Sequence, residues 1–127
     1  AQTNNQLKKP INSLEKVHDQ GAKWRTHVNN QLKTKYKTLF NQLDGLLYLK
    51  AKNFSLLREW RIKQERKLRL QTKNKKNLKI MSSGDIINFM QTYQRITQQM
   101  FKDALKSSSV ILNLNSKHQI QKIRFKN

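Results

Sequence analysis

Four arginines at helical spacing are the residues best suited to chemistry in this sequence. Arg58, Arg61, Arg66 and Arg69 fall within FSLLREWRIKQERKLRL, residues 54–70. A guanidinium grips a phosphate or carboxylate through two parallel N–H donors, a geometry lysine does not reproduce. Leu57, Trp60, Gln64 and Leu68 recur along one face, with Arg58, Arg61, Glu65 and Arg69 on the neighbouring one, which predicts an amphipathic helix. The plain alternative is a solvated face laced by i,i+4 pairs such as Glu59–Lys63 and Glu65–Arg69. The lysine-rich run QTKNKKNLK follows. Between Lys52 and Lys79 eleven Lys/Arg stand against two Glu, so this stretch carries +9 of the chain's +20.

Much other chemistry finds no residues. There is no cysteine, hence no disulfide framework and no thiolate metal site. His18, His27 and His118 lack metal-ligand spacing, and the expected metal set is none. Three scattered glycines and no G-x-x-x-x-G-K-[ST] leave the chain without a phosphate-cradling loop of its own. At 127 residues it is one domain or part of one. A charge of +20 calls for a polyanion, an acidic partner or an acidic half to offset it, or reflects a lysine- and asparagine-rich composition. No apolar run approaches the roughly 18 residues of a membrane span, and no signal peptide is visible, so a cytoplasmic location is expected.

The elements that would position these residues follow from periodicity. Residues 1–21 read as a loose polar lead (Ala1–Lys9), then Pro10 and a short helical turn with Asn12 or Ser13 as N-cap. Trp24, Val28, Leu32, Tyr36, Phe40 and Leu43 predict one helix over 22–44, stopped at Asp44-Gly45. Residues 45–50 hold the apolar run Leu46–Leu49, read as a strand buried on both faces. A helix over 54–71, a basic loop over 72–81 and a helix over 82–106 follow. Closing strands occupy 109–125, the last with Ile120, Ile123 and Phe125 spaced as on an edge strand. Strands separated by long helices predict an α/β fold: long helices flanking two or three short, mostly parallel strands. So few strands amount to part of such a domain. Trp24 and Trp60 lie on the apolar stripes and are read as core.

Several of these residues together resemble the D-glycerate 3-kinase-like P-loop kinases. Pro10-Ile11-Asn12-Ser13-Leu14-Glu15, Asp19, Gly21, Trp24-Arg25 and Val28-Asn29 are similar to that family's P-[VI]-N-x-L-E…D-x-x-G-x-W-R-x-x-V-N run. Trp60-Arg61-x-x-Gln64-Glu65-x-x-Leu68 resembles its W-R-x-x-Q-E-x-x-L. Met81-Ser82, Phe89 and Tyr93-x-Arg95-x-Thr97 follow in the family's order. Gln94, Ile96 and Lys52 depart from its usual residues.

The resemblance implies a partial P-loop kinase fold whose N-terminal Walker A half is absent, in the uridine kinase/phosphoribulokinase-type superfamily. It implies ATP-dependent phosphotransfer to the hydroxyl of a small hydroxy acid, D-glycerate-like, with this chain supplying lid and acceptor-side residues and inactive by itself. ATP and Mg would both require the missing half. Arg61 is the first expectation for a lid phosphate contact, with Arg58 and Arg66 behind it. Asn12, Glu15, Arg25 and Asn29 would face the acceptor, with Arg25 as partner for its carboxylate. Gln64, Glu65 and His118 would lie on the nucleotide side. Two other readings compete: a basic nucleic-acid-binding module, in which the +20 charge grips a polymer, and a non-catalytic fragment.

Overall fold

A computed structural model describes residues 1–72 and 79–126. It is a mixed α/β structure of six helices and three strands among those residues. Short α1 (Asn4–Lys8) and α2 (Ser13–His18) lead into α3 (Lys23–Lys33) and α4 (Lys35–Phe40). Strand β1 (Leu47–Lys50) precedes α5 (Phe54–Gln71), and α6 (Ser83–Ser107) runs into β2 (Val110–Leu114) and β3 (Ile120–Phe125). The sheet order is β1-β2-β3, with β1 parallel to β2 and β2 antiparallel to β3.

Side-chain caps fix where the helices begin. Asn12 accepts the Glu15 N–H at the start of α2, and Asn53 accepts the Leu56 N–H at the start of α5. Ser82 and Asp85 form a reciprocal capping box on α6. Each such cap satisfies a backbone donor the first turn would otherwise leave free. At the far end of α6, the Lys126 ammonium donates to the carbonyls of Leu105 and Lys106, a cation where the helix dipole is negative.

The core is small and one-sided. Tyr48 of β1 and Ile111 of β2 pack under Ala104 of α6, with Phe101 and Leu105 against them. Among the described residues no helix is long and apolar enough to cross a membrane.

Four expectations are corrected. Residues 1–9 are not loose: Thr3 and Gln6 make a capping box on α1, and Leu7 is buried. The helix over 22–44 is two helices. Thr34 breaks it at φ −109°, ψ −89°, its hydroxyl bonding back to the Asn30 carbonyl and offering the backbone an alternative to the helical ladder. The apolar stripe of that segment is mostly exposed rather than core: Val28 and Leu32 are half-buried, but Trp24 is 65% accessible and Phe40 55%. Finally, β1 is not buried on both faces: Tyr48 points into the core while Leu47 and Leu49 lie open. The basic loop over 72–81 lies mostly outside the described residues.

Candidate functional site

The first two turns of α5 separate two clefts. The larger, about 570 Å³, opens at the carboxyl ends of the parallel pair β1 and β2. Lys50, Lys52, Asn53 and Ser55 line it from one side, Asn113 and Asn115 from the other. Carboxyl ends of parallel strands are where open α/β sheets bind ligands. The N-terminus of α5 adds its positive dipole end to the two lysines, against the one carboxylate of Glu59, so the cleft favours an anionic or polar ligand. None of these lining residues was singled out from sequence as a site. For Lys50 and Lys52 the signal was positional, since they lie at and just past the end of the strand predicted over 45–50.

The smaller cleft, about 220 Å³, lies between α2, α5 and α6 and is lined by Asn12, Ser13, Phe54, Arg58, Gln91 and Gln94. It brings Asn12 and Arg58 together. The Asn12 amide donates to the Gln91 carbonyl at 3.0 Å and to Gln94 Oε1 at 3.1 Å. Among the described residues Arg58 makes one long contact, 3.4 Å to Ser55 Oγ. Its guanidinium therefore keeps most of its donors available. Gln91 holds the start of α2 in place, its Oε1 accepting from Ser13 Oγ and the Leu14 N–H, both at 2.8 Å.

Arg61 is engaged elsewhere. Its Nη1 donates to Glu65 Oε2 at 2.6 Å, and Glu65 Oε1 accepts the Met81 N–H at 2.8 Å. The Met81 N–H and the Arg61 bond hold the Glu65 carboxyl below its ordinary value, outweighing burial, which pushes it up. Arg61 and Glu65 thus tie α5 to the chain entering α6. Arg66 and Gln64 are exposed. His118, at a positive φ of 65°, lies 3.9 Å centroid to centroid from Trp60. Trp60 Nε1 donates to the Ser116 carbonyl at 2.9 Å, so α5 grips the β2–β3 turn.

Glu15, Arg25 and Asn29 line neither cleft. They form a buried polar cluster with Arg95, each no more than 8% accessible. Arg95 donates to both Glu15 oxygens, to Gln2 Oε1 and to the carbonyls of Gln6 and Lys9. Arg25 donates to the carbonyls of Leu7, Asp19 and Lys8 and pairs with Asp19 Oδ2 at 2.9 Å. Asn29 bonds the Gln2 backbone in both directions, at 2.7 and 3.1 Å. Burial pushes the Glu15 carboxyl up, but the Arg95 bond, the Ile11 N–H and the charges of Arg95 and Arg25 hold it below its ordinary value. Burial likewise raises Asp19, and the N–H groups of Trp24 and Arg25 with the Arg25 guanidinium lower it further. Arg95 is the residue site reasoning missed. Its signal lay in the Tyr93-x-Arg95-x-Thr97 run rather than in the apolar periodicity, since Arg95 falls on the side of α6 away from Ile86 and Met90.

Among solved structures the chain superposes on D-glycerate 3-kinase from Cryptococcus neoformans var. grubii serotype A, with a TM-score of 0.63 and 19% identity. The fold is similar to part of a D-glycerate 3-kinase. The match covers 79% of this chain and 35% of the fungal one, so the chain spans about a third of that protein's length. No family profile and no curated protein matches the chain.

Proposed function

We propose that this chain forms part of a small-molecule kinase, in which ATP phosphorylates the hydroxyl of a D-glycerate-like hydroxy acid. The observation that supports it most is the fold likeness to D-glycerate 3-kinase over 79% of the chain. Phosphoryl transfer of this kind depends on positioning and on neutralising charge around the transferred group. Arg58 is suited to that work: a guanidinium beside Asn12 at the mouth of a cleft, with donors unused among the described residues. Arg61 sets the helix that carries Arg58, through Glu65 and Met81. Glu15, Arg25 and Asn29 hold the segment that presents Asn12 to the acceptor.

The polar rim of the larger cleft, with Lys50, Lys52 and Asn115, fits the phosphates and polar edges of a nucleotide. ATP would supply the phosphoryl group there. Among the described residues there is no cluster of three metal-ligating side chains, so none is assigned to magnesium. The test is steady-state phosphorylation of D-glycerate by ATP, measured on the chain within the full polypeptide the cell makes. Turnover should fall on the order of 100-fold in Arg58→Ala, the scale of one lost transition-state donor. Failure to phosphorylate D-glycerate or any related hydroxy acid would remove the reading.

A further inference from the structure

Helix α5 has two sides with different fates. Arg61 and Glu65 tie one side to Met81, where the chain enters α6. Lys63, Arg66, Lys67 and Leu70 follow one another at i, i+3, i+4 and i+7, which places them in a single stripe on the other side. All four are exposed, Leu70 at 64%. From Arg66 to Gln71 every residue of the helix is exposed, so among the described residues its last turns stand clear of the body.

Among the described residues nothing neutralises this stripe. The sequence offers Glu59 to Lys63 at i,i+4, yet the ion pairs formed there are Arg25–Asp19, Arg61–Glu65 and Arg95–Glu15. No acid follows in the sequence after Glu65 until Asp85. Three cations whose Cβ atoms are roughly 5–6 Å apart suit successive phosphates along a strand, and Arg66 can take one of them bidentately. The stripe holds no aromatic ring on which an unpaired base could stack, the platform that single-strand binders use. Nor does it have the broad apolar face of a helix lying on lipid. A helix end about 10–12 Å across fits the major groove of B-form DNA, about 12 Å wide, but not the deep, narrow groove of an RNA duplex.

We propose that the exposed C-terminal turns of α5 dock on duplex DNA, with Lys63, Arg66 and Lys67 on backbone phosphates. Contacts of this kind position a protein without reading bases, so the binding is independent of sequence. It is a function separate from phosphotransfer. Loss of the kinase reading would leave it intact.

Fluorescence anisotropy with a short DNA duplex of random sequence, over a series of salt concentrations, tests it on the chain within the full polypeptide. The triple variant Lys63→Gln, Arg66→Gln, Lys67→Gln should make the slope of log affinity against log salt shallower by about 2.7, the worth of three phosphate contacts at about 0.9 each. Its affinity should fall at least about tenfold at low salt. Lys33→Gln, Lys35→Gln, Lys37→Gln removes the same charge from exposed positions on α3 and α4 and should leave the slope as it was. Circular dichroism should match the parent in both variants, since all six side chains are exposed. Equal loss in the two variants would mean that the net charge of +20 acts as a whole, and would overturn the proposal. So would tighter binding to single strands, to RNA duplexes or to anionic vesicles, or no binding to DNA.

Discussion

The Arg95 guanidinium meets the Glu15 carboxylate edge to edge, Nε to Oε1 at 2.7 Å and Nη2 to Oε2 at 2.6 Å, across 80 residues of sequence. The remaining donors of Arg95 close on Gln2, Gln6 and Lys9. One side chain of α6 therefore fastens α1, the Pro10 turn and α2. Both partners are largely buried, with side chains 10% accessible each. Removing one member of such a pair leaves an uncompensated charge.

The Arg95–Glu15 pair should accordingly be costly to break singly. Arg95→Leu is expected to destabilise the protein by about 3 kcal/mol, and Glu15→Gln by somewhat less because it retains hydrogen-bonding atoms. A double-mutant cycle in urea should give a coupling energy above about 1 kcal/mol. Additive single effects would mean that the two side chains do not support each other.

Acid should loosen the same cluster. Glu15, Asp19 and Asp85 all have folded-state pKa values below their ordinary 4.5, 3.8 and 3.8. A depressed carboxyl contributes stability that is complete above its unfolded value and is lost as pH falls through its folded value. Thermal stability should hold above about pH 5 and decline steadily below it. Glu15→Gln should flatten that decline while lowering the plateau. A variant with the parent's acid slope would show that Glu15 is not titrating within the pair.

Arg58 and Arg61 should separate activity from stability. Arg58→Ala is expected to leave the melting temperature within about 2 °C, since a change of this kind near the surface stays within about 0.5 kcal/mol, while reducing kcat. Arg61→Ala releases Glu65 from its closest partner and should lower the melting temperature. If both variants lost activity in step with stability, Arg58 would have no role beyond packing.

The hold of α5 on the β2–β3 turn should be visible in Trp60. Trp60→Phe removes the bond to Ser116 and part of the stacking on His118. A cost of about 1 kcal/mol is expected, with faster amide exchange at Lys117 and Gln119. Unchanged exchange at the turn would show that Trp60 does not restrain it.

The N-terminal caps offer a last check. Ser82→Ala removes the hydroxyl that accepts the Asp85 N–H and donates to its carboxylate. About 1 kcal/mol of stability should go with it. Ser82→Thr should recover most of that, because its hydroxyl can both accept the Asp85 N–H and donate to the Asp85 carboxylate.

Local rules carried the sequence reading where the governing interaction is local. Asn12 announced its helix because a cap bonds the backbone three residues away. The 54–71 helix was legible because its periodicity lies within one element. Tertiary context decided the rest. The stripe of Trp24, Tyr36 and Phe40 reads as core by spacing, yet nothing among the described residues covers it, and Thr34 cuts the helix beneath it. Arg25 and Asn29 read as ligand-facing, yet they close on backbone carbonyls of α1, a partner no periodicity can announce. Apolar Leu47 and Leu49 on one side with Tyr48 on the other showed that β1 has two apolar faces, a property of alternation alone. Only the fold showed that Tyr48 is the side packed under α6 while Leu47 and Leu49 lie open among the described residues, because coverage is settled by what stands on each side of the sheet.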